Sequence, residues 1–144
     1  MSEANKAVVR RFIEEVWNGR NLDAIDEIIS ADHVDHDPAR AGTPGGSAGV
    51  RAFVEMYLKA FPDAHIERGE LVAEGDLVAG PWRATGTHQG DLMGMPATGK
   101  SISVTGMGMD RVVDGKIVES WANWDALGML GQIGVAPAPA GAAA

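Results

Sequence analysis

The chain has 144 residues, 45% of them hydrophobic, no cysteine, and a net charge of −8 from 12 Lys and Arg against 20 Asp and Glu. That length reads as one domain able to close a core. The acidic balance excludes nucleic acid and anionic membranes as natural partners, and the lack of cysteine excludes disulfides, thiolate nucleophiles and Cys-ligated metals. No apolar run reaches the roughly 20 residues of a membrane span. Residues 1–6 lack the apolar stretch of a secretory signal, so a cytoplasmic location is expected.

The N-terminal half reads as helices. Val9, Phe12, Ile13, Val16 and Trp17 recur at helical spacing, with Arg10, Arg11, Glu14 and Glu15 on the other face. Gly19 is placed to end this helix. Leu22, Ile25, Ile28 and Ile29 share one side of a short second helix. The polar run Asp32-His33-Val34-Asp35-His36-Asp37-Pro38 reads as an extended edge, and residues 39–47 as a loop. Ser47 is the expected N-cap of a third helix with the stripe Val50, Phe53, Val54, Tyr57, Leu58 and Phe61, ended by Pro62.

From Asp63 the period becomes two. One strand is predicted through Ile66 to Ala73, and a second returns from Leu77 to His88 after the turn Glu74-Gly75-Asp76. A Gly/Met-rich loop spans Gln89 to Gly99. A third strand, from about Ser101 to Val113, turns at Asp114-Gly115 and pairs with Ile117 to Trp124; the Asp-Gly pair is a strong hairpin signal. A short apolar helix follows from Ala126. Residues 135–144 are Pro, Ala and Gly around one Val, and read as a disordered tail beyond a single domain of residues 1–134. Helices followed by strands make an α+β order, with about three helices over an antiparallel sheet and room for a pocket between them.

Several residue patterns point to chemistry. Trp121-Ala122-Asn123-Trp124-Asp125 brings two indoles beside a carboxylate. Apolar walls raise a carboxyl's pKa by desolvation, which suits carbon-acid chemistry, but Asp125 equally suits the N-cap of the last helix. The run from Asp32 to Asp37 is rich in His and Asp. An extended chain points alternate side chains opposite ways and no further ligand cluster accompanies them, so no metal site is expected. His33 reads as a solvated loop residue, His36 as a substrate-orienting one, and His65 as surface. Val78, Gly80, Trp82, Ala84, Gly86 and His88 share one strand face, which places Trp82 and His88 on one wall; the alternative for His88 is a strand-end histidine bonded to a loop carbonyl. Met93, Met95, Met107 and Met109 suit a pliable pocket or ordinary core. Gly99-Lys100-Ser101 lacks the strand–loop–helix context of a phosphate loop. Tyr57, the only tyrosine, reads as core, which disfavours isomerase chemistry built on a Tyr and a protonated Asp.

Phe61-Pro62-Asp63, Gly86-Thr87-His88-Gln89-Gly90, Pro96-Ala97-Thr98-Gly99-Lys100 and Asp114-Gly115-Lys116-Ile117-Val118-Glu119-Ser120-Trp121, in that order, resemble the SnoaL-like polyketide cyclase family of the nuclear transport factor 2-like superfamily. The resemblance runs to about Gly134. It implies a cone-shaped α+β barrel, helices over a curved antiparallel sheet, with an enclosed apolar pocket. It implies intramolecular aldol closure of a polyketide ester or ketone, without metal or organic cofactor, through an aspartate acid/base. Asp125 looks like that residue, with His36 and His88 as further catalytic candidates. Trp17, Trp82, Met107, Met109, Trp121 and Asn123 are the corresponding candidates for contacts with a hydrophobic small-molecule substrate.

Two other readings compete. One is a non-catalytic pocket for a hydrophobic small molecule. The other is an epoxide or ester hydrolase on the same fold, which the sequence disfavours because Thr85 stands where a related hydrolase family places an Asp two residues after its Arg, here Arg83. A homodimer or higher homo-oligomer is expected from the apolar outer sheet face and from the habit of relatives of this shape.

Overall fold

The computed structural model describes residues 2–40 and 44–135; the expected tail therefore lies outside the described residues, apart from Val135. The chain runs α1 (Ser2–Arg11), a π-helix (Phe12–Asn18), a 3-10 turn (Leu22–Ala24), α2 (Ile25–Ile28), β1 (Ile29–Asp35), a 3-10 turn (Pro38–Arg40) and α3 (Gly46–Ala60). It continues through β2 (His65–Arg68), β3 (Val72–Glu74), β4 (Leu77–Thr87), β5 (Ser101–Val113), β6 (Lys116–Trp124) and α4 (Ala126–Gln132). Among the described residues, four α-helices thus pack on one curved sheet of six strands. None of the described helices is long and apolar enough to cross a membrane.

The sheet order is β1-β6-β5-β4-β2, with β3 also paired to β4. Its spine is the long antiparallel pairing of β4 with β5 and of β5 with β6. Asp114 and Gly115 both take positive φ, the twist that a two-residue hairpin needs. The sheet is mixed rather than antiparallel throughout: β1 lies parallel to β6, with Val34 opposite Glu119 and Asp35 opposite Ser120. The strand expected from Ile66 to Ala73 is broken at Gly69, so that β2 and β3 share the edge of β4. Gly69 is held there by its N–H to the Pro81 carbonyl, 2.8 Å away.

Two helix ends also differ from expectation. Helix α3 is capped by Gly45, without a side-chain bond, rather than by Ser47. Gly19 ends the π-helix in right-handed geometry, and Arg20 takes the positive φ. Gly19 is needed for proximity instead: a Cβ there would lie 2.6 Å from the Glu15 carbonyl oxygen.

Strand alternation sorts the sheet into two faces. Val78, Trp82 and Ala84 of β4 and Ile102, Val104, Gly108, Asp110 and Val112 of β5 face the helices, whereas Arg83 and Met107 face away. The buried side chains form two clusters. One joins Val9, Val16, Ile25, Ile28, Val54, Val78 and Ile117. The other joins Phe61, Leu92, Ile102, Val104, Met129 and Ile133. Each such aliphatic side chain contributes about 1.5–3 kcal/mol on burial. The space between the clusters is not filled, and members of both line what remains.

Candidate functional site

That remainder is a cavity of about 190 Å3 under the helices. The π-helix brings Phe12, Ile13 and Trp17 into its wall, and α3 brings Val50, Val54 and Tyr57. A π turn is rare and frequently marks a functional site, because the widened turn re-aims side chains. The sheet supplies Trp82, Ala84, Ile102, Val104 and Trp124. Gly106 lets the two indoles meet at 6.2 Å between ring centroids, since a Cβ there would lie 2.5 Å from the Trp82 ring.

Polar groups enter this apolar chamber from one end. Strand β1 turns His33 inward to 3% exposure, and Asp35 follows two residues later. Strand β5 points Asp110 inward from an otherwise apolar row, and Ser120 reaches it from β6. Ser120 Oγ–H donates to Asp110 Oδ1 at 2.6 Å, and the same oxygen lies 2.8 Å from His33 Nε2. Asp110, Ser120 and His33 are therefore one chain along which a proton can move. Arg68 comes from β2. Its guanidinium donates to the Gly108 carbonyl at 3.3 Å and lies 3.8 Å from Asp110 Oδ2.

The electrostatics follow from this burial. Loss of water pushes the Asp110 carboxyl above its usual range, and the charge of Asp35 adds to that. The Ser120 bond and Arg68 pull the other way but do not cancel it. Burial lowers Arg68, with Asp110 opposing and Arg10 adding. Tyr57 is pushed up to about 12 by burial and by the charge of Asp37, so it remains a neutral phenol. Asp37 itself is buried, accepting from Trp124 Nε1–H at 3.1 Å and from the Ala39 N–H at 2.8 Å.

The residues expected from the sequence are divided by this geometry. Trp17, Trp82 and Trp121 line the cavity, although the Trp121 ring stacks on His36 at 5.0 Å and lies under Arg111. Met107, Met109 and Asn123 do not line it. They are cross-strand neighbours on the opposite sheet face, where Met107 is 58% exposed, because odd-numbered residues of β5 point away from Ile102 and Val104. His36 is on that outer face too, bonded to Glu119 at 2.8 Å; this bond, with help from Arg111, holds the Glu119 carboxyl below its usual range.

His88 is fully buried but outside the cavity lining. Its Nδ1 accepts from the Thr98 N–H at 3.3 Å, and its ring lies against Phe61, so it fastens the loop after β4. Asp125 is exposed and away from the cavity. Strand β6 ends at Trp124, the chain turns, and Asp125 Oδ1 accepts the Gly128 N–H at 2.8 Å as the cap of α4. Asp125→Ala is expected to lower stability by about 0.5–2 kcal/mol in denaturant titration while leaving ligand uptake by the cavity intact.

Asp110, Ser120, His33, Asp35, Asp37 and Arg68 are the groups that sequence reasoning missed. The signal for two of them was present: Asp110 shares the parity of Ile102, Val104 and Val112, and Arg68 that of Ile66. A charge on the buried parity of a strand has to be paired or used.

Helices over a curved sheet, enclosing an apolar chamber with acid/base groups at one end, define a small-molecule site of the cone-shaped α+β barrel class. Residues 7–133 match the SnoaL-like polyketide cyclase family, and the chain belongs to that family. It is 34% identical over 134 residues to the aklanonic acid methyl ester cyclase DnrD of Streptomyces peucetius, covering 88% of each chain. It is 29% identical over 120 residues to the nogalonic acid methyl ester cyclase of Streptomyces nogalater, covering 82% of this chain and 89% of that one. The crystal structure of IdmH from Streptomyces antibioticus superposes with a TM-score of 0.79 at 35% identity, over 91% of this chain and 99% of that one. The chain is thus an enzyme of the polyketide cyclase kind.

Proposed function

We propose that this chain closes a ring in a polyketide methyl ester by intramolecular aldol addition, with Asp110 as the acid/base. The observation that carries this reading is the Asp110–Ser120–His33 chain at the end of a largely apolar cavity. The ionised Asp110 takes a proton from a carbon flanked by carbonyls. The resulting enolate carbon attacks the ketone within the same molecule, and a carbon–carbon bond forms as the ketone oxygen becomes an alkoxide. Asp110 returns the proton to that alkoxide, through Ser120 where the oxygen is out of direct reach. Substrate and product are isomers, and each step uses side chains of this protein. A carboxyl raised above its usual range by burial fits both halves, since a catalytic pKa nearer the working pH serves base and acid alike.

A cavity of about 190 Å3 is smaller than the roughly 300–1,000 Å3 of common small-molecule sites, so it encloses the reacting end of a substrate rather than a whole polyketide. The test is incubation with aklanonic or nogalonic acid methyl ester in 18O-labelled water. The expected product has the mass of the substrate, a new retention time and no label. Loss of the ester's methyl as methanol, with label in the resulting carboxylic acid, identifies an ester hydrolase. Binding without conversion identifies a carrier.

A further inference from the structure

We infer that Arg68 is the oxyanion receptor of this cavity: it holds the single negatively charged oxygen of a flat conjugated ligand, an enolate or a phenolate. The inference rests on the cavity being the substrate site. Its grounds are the unusual state of the guanidinium.

The Arg68 side chain is only 9% exposed. A guanidinium carries five N–H donors in a planar fork. Here one of them makes a 3.3 Å bond to Gly108, the Asp110 oxygen at 3.8 Å is beyond hydrogen-bond range, and Nε–H is buried with no partner among the described residues. Buried cations are ordinarily paired at close range, because a loose pair does not repay the loss of water. This one lines the chamber, beside Asp110 and Gly108. Gly108 makes the room: a Cβ there would lie 3.2 Å from the guanidinium.

The charges that act on Arg68 are those of Asp110 from the sheet and Arg10 from α1, while Asp35 acts on Asp110. Burial keeps Asp110 protonated over a wider pH range than an ordinary carboxyl, and while it is protonated the cation is not cancelled. One cation with an unused buried donor, in apolar walls, matches one charge on one oxygen. A phosphate, with its double charge on three oxygens, would leave most of its acceptors unmatched. A planar ligand also suits the indoles of Trp82 and Trp124, which line the same chamber. In the ring closure, this places Arg68 on the enolate oxygen while Asp110 works on the carbon.

The probes are 2-naphthol and its neutral isostere 2-methylnaphthalene, titrated into the full chain. Absorbance reads naphtholate, and tryptophan fluorescence reads occupancy. Wild type is expected to bind 2-naphthol and to lower its ionisation pH by about one unit. Arg68→Met is expected to lose that shift and to weaken 2-naphthol by about tenfold, with 2-methylnaphthalene unchanged. Arg68→Lys, which keeps the charge, is expected to retain part of the shift, and it decides the matter with wild type should Arg68→Met fail to fold. No uptake of 2-naphthol, an unshifted ionisation in wild type, or equal loss of both probes in Arg68→Met overturns the inference. None of these readings needs turnover. An enzyme that closes rings without shifting naphthol refutes the role of Arg68 alone, and one that shifts naphthol without closing rings refutes the proposed reaction alone.

Discussion

Asp110→Asn lowers ring-closing turnover by about 10²–10⁴-fold, the usual contribution of a positioned acid/base. The amide keeps the shape of the carboxyl and still accepts from Ser120, so the cavity and the binding of an apolar ligand are retained. Stability supplies an independent check on the same residue. The folded state holds the Asp110 proton more firmly than the unfolded chain does, because burial penalises the anion. Stability from this source is fully present below the ordinary carboxylate pKa of about 4 and is lost as pH rises through the higher folded value. Wild type is therefore expected to melt at progressively lower temperature as pH increases across that window. Asp110→Asn is expected to show a flatter profile and no loss of melting temperature at neutral pH. Full turnover in Asp110→Asn, or an unaltered pH profile of melting, contradicts the assignment.

Ala84→Phe is expected to abolish ligand uptake altogether. Ala84 is the small residue on the inward face of β4 beside Trp82, and it borders the empty space between the two core clusters. A ring placed there occupies much of the 190 Å3. Filling an existing cavity adds contacts where none were made, so the cost of overpacking, about 1–3 kcal/mol in a core already full, is reduced here. Tryptophan fluorescence titration with an apolar aromatic reads the loss of binding, and circular dichroism reads the retained fold. Undiminished binding in Ala84→Phe places the ligand elsewhere.

Much of the fold was legible before any coordinates. The stripe from Val50 to Phe61 is α3, the two-residue alternation from Leu77 and from Ser101 is β4 and β5, and Asp114-Gly115 is their hairpin to β6. These signals are local, and local signals survive in a single sequence. What was not legible is long-range. Nothing near Asp32–Asp37 announces that this segment lies parallel to a strand some 85 residues later (120 − 35), and that pairing is what makes His33 and Asp35 inward groups. The π-helix was hidden as well, because Phe12, Ile13 and Trp17 fit an ordinary helical stripe equally.

The site was legible in part for a different reason. Strand parity is strict, and a shift of one residue exchanges the faces. The inward parity of β5 fixed by Ile102 and Val104 already sends Met107 and Met109 outward and Asp110 inward. The indole beside Asp125 belongs to the sheet: Trp124 faces the cavity, and the chain turns one residue later, which takes Asp125 out of the wall.

The parallel union of β1 and β6 governs when this enzyme comes into being on the ribosome. Arg68 and Asp110 emerge on β2 and β5, but His33 waits for Ser120, which is synthesised 87 residues later. Until then the N-terminal helices have no finished sheet to cover and their apolar stripes stay open to chaperones or to one another. Contacts of such wide separation slow the final step of folding relative to a helical bundle of equal size. A nascent chain stalled before β6 would carry most of the walls of the chamber but lack Ser120, the link between His33 and Asp110.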